Sequence, residues 1–155
     1  MFYDLEDPVQ FAREVSEVLA DDGVWIMEQS YMPEMLKTNS FDTICHEHLE
    51  FYALRQIKFI VEKTGLKIVD VEFNAINGGS FSVEIAQNNS ECECNETLIQ
   101  KILESEQNLG LSSGAAFLDF RERVSFERKK LMEFLKECKS NGQRVAGLGA
   151  STKGN

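Results

Sequence analysis

Apolar residues at helical spacing open the chain. Phe11, Ala12, Val15, Val18 and Leu19 follow Asp7-Pro8, which reads as an N-cap with proline at the first helical position. Asp21-Asp22-Gly23 stops that helix, and the apolar run Val24-Trp25-Ile26-Met27 behind it predicts a short buried strand. Helix, turn and strand in this order form the second half of a βαβ crossover whose first strand is not in front of it. A short helix is expected over Pro33 to Lys37. A longer one is expected over Leu54 to Thr64, with Ile57, Ile60 and Val61 inward and Gly65 as the left-handed residue past its end. Leu66 to Phe73 alternates as a strand does, Asn77-Gly78-Gly79 signals a turn, and Phe81, Val83 and Ile85 alternate again. These segments predict an antiparallel hairpin.

The pattern then changes. Glu96 to Leu109 reads as a helix stopped by Gly110. A longer helix runs from about Ala116 to Lys139, with Phe117, Phe120, Val124, Leu131, Phe134 and Cys138 forming an apolar seam on a charged rod. Asn141-Gly142 ends it, and Arg144 to Gly147 is expected to begin a new strand. The glycine-rich tail Gly147-Leu148-Gly149-Ala150-Ser151-Thr152-Lys153-Gly154-Asn155 follows. A strand running into such a loop is how phosphate-cradling turns open in α/β folds. The tail nonetheless departs from Gly-x-Gly-x-x-Gly at Thr152, and Gly154 stands where a P-loop needs Ser or Thr. Opening in mid-crossover and closing in mid-motif, the chain reads as an excerpt of a longer protein.

Composition narrows the function classes. The 155 residues carry a formal charge of −10, which disfavours nucleic acid and anionic lipid as partners. The apolar runs are too short to span a bilayer and there is no secretory signal, so the expected location is cytoplasmic. Cys92 and Cys94 form a Cys-x-Cys one residue short of a zinc knuckle, with no second pair behind it. They and the acidic run at Glu91 and Glu93 read as a solvated loop with reduced thiols.

Candidate chemistry concentrates in Cys45-His46-Glu47-His48, which holds both histidines of the chain. Histidine takes and gives protons near neutral pH, and a neighbouring carboxylate orients the ring or raises its basicity. The same residues, read with the Cys-x-Cys, allow a small metal site, while a His-x-His pair can equally be a plain loop feature. Gly78-Gly79 is a turn first and a place for close backbone approach to a ligand second.

Four blocks taken together resemble the C-methyltransferases that act on nucleotide-linked keto-sugars, such as the sugar C-3 methyltransferases of deoxysugar pathways. They are Phe41 to His48, Gly65 to Val71, Asn77 to Ser80, and Gly149 to Asn155. The resemblance implies an α/β fold. Residues 1–90 would be the C-terminal part of a class I, Rossmann-like methyltransferase domain with a mixed sheet. Residues 91–140 would be a helical connector, and 141–155 the first strand and loop of a second Rossmann-like domain.

The resemblance also implies S-adenosylmethionine as cofactor, although the glycine-rich turn and acidic residue that grip it, and the family's zinc segment, are not in this sequence. It makes His48 the general base and Glu47 its partner. Cys45, Asn77, Gly78, Gly79 and Ser80 fall at substrate-binding positions, with no metal needed. The family's Tyr-x-Glu-His has Cys45 in place of tyrosine, leaving Tyr31 or Tyr52 to supply a phenol, and its His-Gly-Gly-Ser has Asn77 in place of histidine. The expected function is methylation through an enolate, by a longer protein of which this piece alone is inactive. The alternative is a non-catalytic assembly module, self-associating through unpaired sheet edges or the helical seam.

Overall fold

In the computed structural model, residues 2–149 are described. These described residues form three strands and five α-helices. Helix α1 (Pro8–Val18) starts where Asp7 accepts a hydrogen bond from the Gln10 amide, as the Asp-Pro signal predicts. It is followed by β1 (Val24–Ser30), α2 (Met32–Thr38), α3 (Leu54–Lys63), β2 (Leu66–Asn74) and β3 (Ser80–Gln87). Helices α4 (Glu96–Asn108) and α5 (Ala115–Ser140) complete the described elements.

The strands form one sheet in the order β1-β3-β2, and β3 is antiparallel to both neighbours. The β2–β3 hairpin stands as expected, with Gly65, Gly78 and Gly79 all at positive φ. Strands β1 and β2 run parallel to one another but never touch, so the expected mixed sheet contains only antiparallel pairs. Strand β1 is an edge rather than a buried strand. Trp25, Met27 and Gln29 turn toward the core, while Val24 and Ile26 are exposed on the other face.

The core lies between the sheet and helices α1 to α4. Phe81, Val83 and Ile85 of the central strand are fully buried against Leu54, Ile57 and Val61 of α3. Ile99 and Ile102 of α4 join the same core. The seam of α5 divides. Its first turns pack through Ala116 and Phe120, and Cys138 is buried near its end. Phe117, Leu131 and Phe134 stand exposed, so the seam is covered over only part of its length. Residues 143–149 are irregular, and the strand expected over Arg144 to Gly147 does not form: no neighbouring strand offers it ladder hydrogen bonds. The rest of the glycine-rich tail, Ala150 to Asn155, lies outside the described residues.

At the start of helix α3 the N-cap Ala53 offers no side-chain acceptor, and Gln56 accepts only from the Ala53 amide, at 3.1 Å. The helix's free amides are satisfied from α4 instead. The Glu106 carboxylate, 2% exposed, accepts from the Leu54 amide at 2.7 Å and the Arg55 amide at 3.1 Å. The Tyr31 hydroxyl donates to the same carboxylate at 2.8 Å. A carboxylate at a helix N-terminus also meets the positive end of the helix dipole. Nothing at residues 50–54 forecasts this remote cap.

Candidate functional site

Two features carry the expected site residues. The first is a cleft of about 750 Å³ bounded by α2, the β2–β3 turn and α4. Of the expected site residues, Gly78, Gly79 and Ser80 line it; Cys45, Asn77, Glu47 and His48 do not. The second is the irregular segment 44–53, which carries the Cys45-to-His48 block.

The glycines are explained first by packing. A Cβ on Gly79 would lie 2.4 Å from Cγ of Glu34, and one on Gly78 would lie 2.6 Å from the Ser40 hydroxyl oxygen. The Gly79 amide donates to the Ile76 carbonyl, and the Gly79 carbonyl accepts from the Tyr31 amide. Ser80 is buried and its hydroxyl donates to the Ile76 carbonyl at 2.9 Å. Asn77, exposed and at a φ of 53°, makes the left-handed bend of the turn.

This turn is tied to the segment that leads into the histidine block. The Thr38 hydroxyl is 2.8 Å from that of Ser40 and 3.3 Å from the Gly78 carbonyl oxygen. Thr43 is buried and donates its hydroxyl to the Ser40 carbonyl. The amides of Leu49 and Glu50 both donate to the Tyr3 carbonyl at 3.1 Å, and the Met32 amide donates to Tyr52. Residues 40–53 are thus held at the glycine turn, at Tyr3, at the start of α2 and, beyond Ala53, by Glu106.

Within the segment His48 is half-buried and His46 is exposed. The His48 ring lies 4.3 Å from that of Tyr3 and 6.0 Å from that of Phe51, centroid to centroid. Glu47 is exposed and Cys45 half-buried, its thiol free. The phenol beside the histidine is therefore Tyr3, a residue that sequence reading overlooked because it lies 45 positions away (48 minus 3). Burial, then the charges of Asp4 and Cys45, push the Tyr3 phenol up from its ordinary value, which favours its protonated, hydrogen-bond-donating form.

Of the two phenols expected at this place, Tyr31 is engaged elsewhere, while the Tyr52 hydroxyl is buried without a hydrogen-bond partner among the described residues. Tyr31 is bound to Glu106, and burial followed by the Glu106 charge pushes it far up. Tyr52 is buried against Phe2, and burial pushes its phenol up to about 12. Among the described residues no three His, Cys, Asp or Glu side chains converge to hold a metal ion. His46, His48 and the Cys92/Cys94 pair therefore form no common site. No helix of the described residues is long and apolar enough to cross a membrane.

Comparison with known proteins places this architecture. A family model described as the C-methyltransferase C-terminal domain matches residues 75–155, from the β2–β3 turn onward. The chain belongs to this C-methyltransferase family and corresponds to its C-terminal portion. It is also 32% identical over 153 residues to the C-methyltransferase NovU of Streptomyces niveus, a match covering 99% of this chain and 36% of that protein. The chain thus spans about a third of the length of that curated relative.

Proposed function

We propose that this chain carries the proton-abstracting part of an enzyme that methylates a carbon beside the ketone of a nucleotide-linked sugar. The observation that supports this most is the identity with a named C-methyltransferase over 99% of the chain. That stretch takes in both the Cys45-to-His48 block and the Asn77-to-Ser80 turn.

A carbon next to a ketone becomes nucleophilic once its proton is removed and an enolate forms. His48 takes the proton, and Glu47, its chain neighbour, orients the imidazole or holds a sugar hydroxyl. The enolate oxygen needs a hydrogen-bond donor, for which the protonated phenol of Tyr3 stands beside the histidine ring.

S-adenosylmethionine would supply an electrophilic methyl group. The described residues do not fit its usual grip, a strand leading through a glycine turn into a helix N-terminus. Strand β1 enters α2 through Tyr31, with Pro33 in the first turn and no glycine between. We therefore assign the methyl donor to segments outside these residues, and expect the 155-residue chain alone to show no turnover.

The test is transfer of labelled methyl from S-adenosylmethionine to nucleotide-linked keto-sugars by the full-length gene product. His48→Ala is expected to lower the rate by about 10²- to 10⁴-fold, the usual weight of a general base. An unchanged rate in that variant would remove His48 from the chemistry. The exposed Phe126, Leu131 and Phe134 on α5 favour a second reading, an assembly module. Its mark is self-association lost on Phe134→Glu, with catalysis indifferent to His48.

A further inference from the structure

Away from the site described above, Cys92 and Cys94 stand as a pair of reactive side chains between β3 and α4. Both thiols are free and half-buried, whereas Glu91, Glu93 and Asn95 around them are exposed. An alternation of period two is that of an extended chain, and it turns both thiols to one side and both carboxylates to the other. The segment is held along β2, an outer strand of the sheet. The Lys67 ammonium donates to the Ser90 carbonyl at 2.8 Å, and the Asn95 amide to the Val69 carbonyl at 2.8 Å. The Asn95 side-chain amide donates to the Asp70 carboxylate at 3.1 Å, and its oxygen caps α4 at the Leu98 amide.

The two thiols thus lie on a segment pinned at both ends and within reach of water. Alternate residues of an extended chain stand about 6.4–6.8 Å apart at Cα, twice the rise of a strand. That is the upper end of the span a disulfide tolerates, about 4.4–6.8 Å, so direct closure is disfavoured. An ion between the sulfurs needs less approach. At about 2.3 Å per bond, two thiolates on opposite sides of it stand about 4.6 Å apart.

The number of ligands selects the ion. Structural zinc takes four, and among the described residues no group of three His, Cys, Asp or Glu converges. Two thiolates alone suffice for a soft monovalent ion such as Cu(I), which accepts linear two-coordination. Glu91 and Glu93, on the far side, ligate nothing but draw an arriving cation. We infer that Cys92 and Cys94 form a two-thiolate site for a soft monovalent metal ion of the Cu(I) class. Each thiol binds as a thiolate and releases its proton to water, and no electron is transferred. The site shares no residue with the His48 block and does not rest on the methyl-transfer reading.

The test is an anaerobic titration of the reduced full-length gene product with Cu(I) against bicinchoninate, a colorimetric competitor. The wild type is expected to hold one Cu(I) ion more than Cys92→Ser or Cys94→Ser. In each variant the affinity for that ion should fall about 100-fold or more, since groups that merely orient a metal's ligands already weigh about 10- to 100-fold. Cys45→Ser should hold as much copper as the wild type. Cu(I) should also raise the melting temperature of the wild type more than that of either serine variant. Melts without copper check that the variants fold, and each is decisive by itself should the other misfold.

Equal copper in the wild type and in a folded serine variant would overturn the inference. So would loss in only one of two folded variants, which would leave a single thiol acting with a group elsewhere. Zinc held with the same dependence on Cys92 and Cys94 would contradict the two-coordinate assignment.

Discussion

The hub around Glu106 and the loop that carries His48 adjoin at Ala53, yet they are stabilised by different means. Around Glu106 the contacts are buried and saturated: one carboxylate serves Tyr31, Leu54 and Arg55 from a position 2% exposed. Around His48 they are sparse. The ring leans on Tyr3 and Phe51, and the backbone is anchored at a few points. The side chains proposed for chemistry thus sit on a lightly held segment between firmly held ends. Local residue choice specifies the reactive group, while long-range bonds decide where it stands.

Breaking the hub should cost the most. Glu106→Ala leaves the Tyr31 hydroxyl and two helix amides without their acceptor, and should destabilise the fold by about 3–5 kcal/mol. Urea unfolding measures this, and a loss below about 1 kcal/mol would show that the hub is dispensable. Gly79→Ala comes next. It forces a Cβ into Glu34 at a φ of 123°, for a cost on the order of 1–3 kcal/mol read from the same midpoint shift.

The loop should respond differently. Tyr3→Phe is expected to leave stability within about 0.5 kcal/mol. It should shift the imidazole signals of His48 and not those of His46 in an NMR pH titration, and equal shifts in both rings would detach Tyr3 from the site. A further effect is on pH dependence. Phenols raised by burial bind protons more tightly folded than unfolded, so their contribution is complete below the ordinary value of 10.0. It declines as pH rises toward about 12, the value at Tyr52. Urea midpoints at pH 9 and pH 11 should fall in that order, and Tyr31→Phe should reduce the difference.

The contrast also explains what could be read from the chain. Asp7-Pro8, Gly65 and the alternation through Phe81, Val83 and Ile85 encode their elements locally, and those elements form where the pattern places them. The Cys45-to-His48 block was visible for the same reason, as a local cluster of reactive types. Glu106 was not, because on sequence it is one more acidic residue on an amphipathic helix. Its partners lie 51, 52 and 75 positions away. Tyr3 was invisible likewise, as nothing near residue 3 signals that its ring meets His48. The strand expected at Arg144 failed because apolar residues before glycine specify a strand only where a neighbour completes the ladder.

One measurement addresses the central claim without the methyl donor. The full-length gene product is incubated in D₂O with a nucleotide-linked keto-sugar, and deuterium is followed by NMR at the carbon beside the ketone. The account predicts exchange at that carbon, and its loss in His48→Ala while the protein remains folded. Exchange that continues undiminished in the variant would contradict it.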